Sequence, residues 1–182
     1  MALTRKTQNS YLGNKIGLRL HDLPERPSVL DCFGGEGLIW KAIEREIGRP
    51  VRRIGIDKQD WGEGFYLPGD NMAYLRTMDL SRFNIIDLDA YGVPYEQLKT
   101  LFERGYQGRV FVTLIQTLFG KLPYGLLEDI GFSGEIVRSC PTIFGKRGWQ
   151  YFLEWLAKNG VRTIRHRSHA RKHYCAFDLG EG

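Results

Sequence analysis

Acids at the ends of apolar runs are the residues of this chain with the clearest chemical potential. In Val29-Leu30-Asp31-Cys32-Phe33-Gly34-Gly35-Glu36-Gly37, an apolar run breaks into glycines just before a helical pattern begins. Glycines there let a ligand approach the backbone, and the helix start offers free N–H groups and positive potential to a carboxylate or phosphate. Asp31 then stands where a ligand ammonium could be received. A second acid, Asp57, closes the next apolar run, the place from which a carboxylate accepts hydrogen bonds from ribose hydroxyls. A plain tight turn and a solvated aspartate would be the bland account. Strand, glycines, helix, strand and acid in that order favour a nucleoside ligand.

The glycines read G-G-x-G and lack the third member of the dinucleotide fingerprint, which disfavours NAD, and there is no P-loop pattern. S-adenosylmethionine fits better, because its carboxylate and ammonium match the helix start and Asp31. Further along, Gly69-Asp70-Asn71 follows a weak strand, and Asn84-Ile85-Ile86-Asp87-Leu88-Asp89-Ala90-Tyr91-Gly92-Val93-Pro94 delivers two acids and an aromatic into a turn. Carboxylates so placed lie at the carboxyl edge of a sheet, where ligands bind. An exocyclic amine conjugated to a base ring is a poor nucleophile. A site that methylates one must accept its hydrogens and hold the ring on an aromatic face. Asp89 as acceptor and Tyr91 as platform have the right chemistry, with Tyr91 as a simple rim aromatic the competing account.

These motifs resemble those of class I S-adenosylmethionine-dependent methyltransferases. The stretch Asp87-Leu88-Asp89-Ala90-Tyr91-Gly92 is similar to the Asp-Leu-Asp-Pro-Phe-Gly of the tRNA guanine-N2 dimethyltransferase type, with Ala90 in place of proline. That resemblance runs from about Val29 to Thr117. It implies that Asp57 holds the ribose, Asp70 the adenine amino group and Asp89 the incoming acceptor nitrogen. Tyr11-Leu12-Gly13-Asn14-Lys15 resembles the Tyr-x-Gly-x-Lys segment that closes over the cofactor in one class of adenine-N6 DNA methyltransferases. The cofactor set implied is Asn14, Lys15, Asp31, Phe33, Gly34, Gly35, Gly37, Asp57, Lys58, Asp70, Asn71 and Asp87, with Asp89 and Tyr91 catalytic. Within this set Asp87 is expected mainly to hold the strand end.

Thiol catalysis is disfavoured, because Cys32 and Cys175 fall in apolar strands and Cys140 precedes its proline rather than following it. His166, His169 and His173 have spacings that could ligate a metal, but Arg165, Arg167, Arg171 and Lys172 around them oppose a bound cation. Those four basic residues read better as a hairpin that meets phosphates, against the common alternative of a solvated turn. Trp149, Tyr151, Phe152, Trp155 and Leu156 recur at helical spacing and are expected to be core.

Strands and helices alternate around these motifs. Strands are expected at 28–33, 51–57, within 62–68, 83–89, 109–115, 161–167 and 174–179, and helices at 38–47, 71–77, from Pro94 to about 104, and 148–158. The stretch 120–146 gives no clear pattern. Periodicity alone argues a doubly wound α/β domain; with the motifs, it argues a Rossmann-like class I methyltransferase fold, a mostly parallel seven-stranded sheet ending in an antiparallel hairpin. The chain has 182 residues, 42% of them hydrophobic, a length expected of one domain. Three dispersed cysteines suggest no disulfide framework. The polar opening MALTRKTQNS and the lack of a long apolar run suggest a cytoplasmic protein without a membrane partner. A net charge of +5 permits a nucleic-acid partner. A small-molecule or protein methyltransferase, or a non-catalytic binding module, is the alternative to a base-modifying enzyme. Oligomeric state is not legible.

Overall fold

Apolar alternation along the chain is satisfied by one sheet with helices on both faces. The computed structural model describes residues 11–21, 23–59, 61, 65–115 and 122–180. The opening ten residues, the Gly62 start of the third expected strand and the Thr117 limit of the resemblance lie outside them. Strands β1 (Ser28–Asp31), β2 (Arg52–Asp57), β3 (Tyr66–Pro68), β4 (Ile85–Leu88) and β5 (Gly108–Ile115) run parallel. An antiparallel hairpin, β6 (Arg165–His169) and β7 (Lys172–Leu179), completes the sheet by pairing β7 with β5. The order β3-β2-β1-β4-β5-β7-β6 reverses direction between β1 and β4, which opens a crevice at their carboxyl ends.

Because successive side chains point to opposite faces, each strand feeds two cores. On one face α1 (Leu12–Leu20) and α2 (Leu38–Ile47) cover Val29, Ile85, Phe111, Tyr174 and Ala176. On the other, Leu30, Ile86, Val110, Cys175 and Phe177 pack against α3 (Asn71–Thr77), α4 (Tyr95–Glu103), α5 (Tyr124–Asp129), α6 (Gly134–Ser139) and α7 (Pro141–Lys158). Phe152, Trp155 and Leu156 of α7 are fully buried there, so this aromatic face is core. Gly48 ends α2 in the left-handed region that a side chain would strain.

Two expected elements moved. The strand placed at 161–167 begins at Arg165, because Val161 is buried directly after α7 and donates its N–H to the Leu156 carbonyl, closing that helix. Helix α7 begins at Pro141 rather than 148, with proline in its first turn, where no N–H is needed. No helix among the described residues is long and apolar enough to cross a membrane.

Candidate active site

The β1–β4 crevice is floored by a polar layer on the face that α1 and α2 cover. Asp31 and Asp87 are register partners on β1 and β4, so two carboxylates meet in the interior. Both are nearly inaccessible, at 5% and 1%. Arg19 of α1 neutralises Asp87 with a two-pronged pair, Nε to Oδ2 at 2.7 Å and Nη2 to Oδ1 at 2.5 Å. Trp40 of α2 adds an Nε1–H to Oδ2 at 2.8 Å. Asp87 is thereby committed to holding α1 and α2 onto the strand end. Burial works against the Arg19 charge, yet Asp87 beside it pushes its pKa up, so Arg19 stays charged. An ion pair this deep adds little net stability, but removing one partner would strand a charge.

Asp31 is less well compensated. Arg53 Nη1 stands 3.4 Å from its Oδ2. Burial, with Asp87 and Asp89 nearby, pushes the Asp31 carboxyl up to about 7 in spite of Arg53 and Arg19. A buried acid in that state has room in its electrostatics for one more cation. Directly beyond it, Asp31, Phe33, Gly34, Gly35, Glu36, Gly37, Leu38, Ile39 and Asp89 line a cleft. Gly37 has φ of 68°, a left-handed conformation that a side chain would strain, so the backbone shape favours glycine there. It is the residue before α2, and no side chain caps that helix, whose first N–H groups face the loop.

Asp57, at the end of β2, accepts from the Gly35 N–H at 3.0 Å and from the Gln59 N–H at 3.0 Å. One carboxylate thus ties the glycine loop to the β2 end. Tyr66 braces the same loop by donating its hydroxyl to the Gly35 carbonyl.

Asp89 lies one step beyond Asp87 on the same face. Lys15 Nζ sits 2.7 Å from its Oδ2, and the Thr113 hydroxyl donates to its Oδ1. Burial would raise this carboxyl, but Arg19 and Lys15 together hold it below the ordinary aspartate value. It is an ionised acceptor on the cleft wall.

Of the residues expected from sequence, Asp31, Phe33, Gly34, Gly35, Gly37 and Asp89 share one cleft. Asp57 and Lys15 reach it through direct hydrogen bonds. Asn14 precedes Lys15 on α1 and is half-buried. Asn71 donates to the Cys32 carbonyl at 2.8 Å and accepts from Gln97 at 3.0 Å, so it braces the end of β1. Asp70 is exposed and caps α3 by accepting from the Met72 N–H. Lys58 is exposed beyond Asp57. Tyr91 is 89% exposed, standing out beyond Asp89.

The basic hairpin projects at the same sheet edge, because Lys172 pairs with Ile115 at the carboxyl end of β5. Its turn is Ala170-Arg171, with Ala170 at φ 51°. Arg167 packs onto Gly17 of α1, where a Cβ would lie 2.6 Å from its Nη1. His169 stacks on Tyr11 at 3.8 Å, and Lys172 lies over the Tyr11 ring at 6.0 Å. His166 and His173 point instead to α7, where Trp149 stacks on both at 4.2 and 4.5 Å. Burial lowers both imidazoles, and His166 helps push His173 to about 4, so that ring is neutral near pH 7. Cys32 and Cys175 are buried with thiols pushed up, Cys175 to about 12, so neither offers a thiolate for nucleophilic chemistry.

Sequence reading missed Arg19, Trp40, Arg53, Tyr66 and Thr113. One signal was available for Arg19: it follows Lys15 by one helical turn, so both cations face the same strand ends. Arg53 and Thr113 gave none: Arg53 sits beside Arg52 at the start of β2 with nothing to mark it as the inward one, and Thr113 is a single hydroxyl among apolar neighbours.

No family model matches the sequence, and no curated protein sequence matches it. Solved structures do. A protein from Clostridium thermocellum assigned as an rRNA methylase is 13% identical, with a TM-score of 0.54 over 92% of this chain and 94% of its own. A methylase from Haemophilus influenzae is 9% identical, with a TM-score of 0.54 over 92% and 98%. One from Staphylococcus aureus, assigned as a caffeoyl-CoA O-methyltransferase, is 14% identical, with a TM-score of 0.54 over 92% and 82%. The chain has the class I methyltransferase fold. At these identities the likeness is one of fold, and it spans RNA-directed and small-molecule O-directed proteins alike. In the methyltransferase fold of this chain the β1–β4 crevice carries the glycine loop, Asp31 and Asp89 together.

Proposed function

We propose that the chain is an S-adenosylmethionine-dependent methyltransferase acting on an exocyclic nitrogen of a nucleic-acid base. One observation carries the reading. Asp89, an ionised carboxylate already engaging an N–H donor at 2.7 Å, lines the same cleft as the glycine loop and Asp31. The donor set suits the cofactor. Asp31 is a buried acid short of positive charge and so favours an ammonium. The uncapped start of α2 favours a carboxylate, and Asp57 has the chemistry for ribose hydroxyls. When bound, S-adenosylmethionine supplies an electrophilic methyl on a sulfonium.

The chain's own residues do the rest. Asp89 accepts hydrogen bonds from the acceptor amine, orienting its lone pair and stabilising positive charge as it develops on nitrogen. Thr113 fixes the Asp89 rotamer through its hydroxyl, and Arg19 holds the neighbouring Asp87 in a two-pronged pair away from the cleft. Tyr91, exposed on the rim, is a surface on which a base ring can stack. Arg167, Arg171 and Lys172 near the hairpin turn, with Arg165 further along β6, would supply the phosphate contacts.

Two substrate types compete within this reading. The Asp-Leu-Asp-x-aromatic-Gly turn resembles guanine-N2 enzymes, whereas Tyr11 to Lys15 resembles adenine-N6 enzymes. The contact between Lys15 and Asp89 joins the two segments in one site. Incubation with tritiated S-adenosylmethionine and separate tRNA, rRNA and DNA pools tests the proposal, with labelled base analysed after nuclease digestion. Label on a base amine is expected. Label confined to a small molecule or to protein, with none in any nucleic acid, would overturn it.

A further inference from the structure

Three carboxylates meet at the floor of the crevice, and each has a cation beside it. Arg19 grips Asp87 at 2.5 and 2.7 Å and Lys15 holds Asp89 at 2.7 Å, whereas Arg53 Nη1 stands 3.4 Å from Asp31 Oδ2. Among the described residues, Arg53 alone is within ion-pair distance of Asp31. The loosest of the three pairs is the one at the glycine loop. Strands β2 and β3 are shaped to deliver that guanidinium. Arg53 pairs in register with Val29, two residues short of Asp31, so its side chain reaches along β2 toward the crevice. Gly55, the register partner of Asp31, has no side chain, and a Cβ there would lie 2.7 Å from Tyr66 Cε1. The Tyr66 ring leans over that gap, with the Arg53 guanidinium 5.6 Å from its centroid and Nη1 3.5 Å from its hydroxyl. The same hydroxyl donates to the Gly35 carbonyl. Arg53 Nη2 lies against Gly37, 2.5 Å from where a Cβ would stand. The guanidinium is thus wedged between Asp31 and the glycine loop, with 13% of the side chain exposed.

A buried pair at this distance is a poor source of stability, so its effect falls on the charge of Asp31 instead. Asp31 is faced by Asp87 and Asp89 from β4 and the turn after it, by Arg53 from β2 and by Arg19 from α1. Burial and the two acids oppose its charge, and Arg53 is the stronger of the two cations that favour it. Resting on the cofactor reading above, we propose that Arg53 is a positioning residue that keeps Asp31 a carboxylate beneath the glycine loop, ready for a ligand ammonium. A carboxylate oxygen accepts two donors, as Asp87 Oδ2 does from Arg19 and Trp40, so an ammonium can join Asp31 without displacing Arg53.

The test compares Arg53→Gln and Arg53→Met, which lack the charge, with Arg53→Lys, which keeps it. In the free protein, the Asp31 carboxyl carbon followed by NMR should titrate about one pH unit higher in the neutral variants, and within about half a pH unit of wild type in Arg53→Lys. Such a rise lowers the ionised fraction at pH 7 from about one half to about one eleventh. Affinity of Arg53→Gln for S-adenosylhomocysteine should therefore fall about fivefold at pH 7 and return to within about twofold of wild type at pH 9. In an Asp31→Asn background, Arg53→Gln should change affinity by less than about twofold. An Asp31 midpoint that is unmoved in both neutral variants overturns the proposal. So does a loss of affinity that is equal at pH 7 and pH 9, or one that persists in the Asp31→Asn background, because each marks a merely structural role. A wild type that binds no S-adenosylhomocysteine at any pH makes the cofactor reading fail on its own. The Asp31 titration then still decides the hold of Arg53 on Asp31, a raised midpoint sustaining it and an unmoved one overturning it.

Discussion

Asp31 makes the cofactor end of the site pH-sensitive, in a direction the structure specifies. Its carboxyl is 5% exposed, faces Asp87 and Asp89, and is held at about 7 by burial and those two charges. In the unfolded chain an aspartate titrates near 3.9. Between about pH 4 and pH 7 the folded protein therefore holds a proton that the unfolded chain has lost. Stability of the free protein falls as pH rises through that window, by up to about 1.4 kcal/mol per pH unit from this group alone. A ligand ammonium prefers the ionised form and should reverse the trend for binding. About 3% of Asp31 is ionised at pH 5.5 and about half at pH 7, so apparent affinity should rise roughly fifteenfold over that interval. Asp31→Asn should flatten both dependences and cost about 1.5–3 kcal/mol of ligand affinity at pH 7.5, the range for a hydrogen bond to a charged group. Titration calorimetry with S-adenosylhomocysteine from pH 5.5 to 7.5, paired with urea unfolding, provides the assay. Wild-type affinity that does not change with pH, or an Asp31→Asn variant that keeps the slope, would refute the reasoning.

Other perturbations have equally definite outcomes. Arg19→Ala leaves Asp87 buried without its partner and should cost about 3–5 kcal/mol in urea unfolding; a loss below about 1 kcal/mol would mean that the pair is solvated. Replacing Arg165, Arg167, Arg171 and Lys172 together by alanine should lower the salt dependence of nucleic-acid binding by about one unit per lost phosphate contact. An unaltered slope in filter binding would reduce the hairpin to a solvated turn.

The legible parts of this protein were those in which one local pattern does one job. The 28–37 segment combines an apolar strand, glycines and a helix start, and the structure keeps all three, with α2 and α3 spanning the residues expected. Strand alternation also put Asp87 and Asp89 on one face, and the structure has both on the α1 face, with Asp89 in the cleft wall and Asp87 paired with Arg19. Helix α1 was read only as a motif. Its nine residues include Lys15 and Arg19, which look solvated in sequence but point inward to acids that are 68 and 74 positions away. Such pairing is tertiary and leaves no periodic trace. Helices α5 and α6, six residues each, are too short to establish a hydrophobic period, which is why 120–146 was unreadable. Val161 misled because an apolar residue after a helix can close that helix instead of starting a strand.

The central claim is that Asp89 engages the acceptor nitrogen in a cleft that also binds S-adenosylmethionine. Asp89→Asn keeps the side-chain size but turns one acceptor oxygen into a donor facing an N–H. The decisive measurement is single-turnover methyl transfer by wild type and Asp89→Asn on the nucleic acid that the pool experiment identifies, with a cofactor titration of each. The account predicts a loss of about 10²-fold or more in rate with cofactor affinity nearly unchanged, because Asp31 and Asp57 carry that binding. Near wild-type turnover in Asp89→Asn would contradict it.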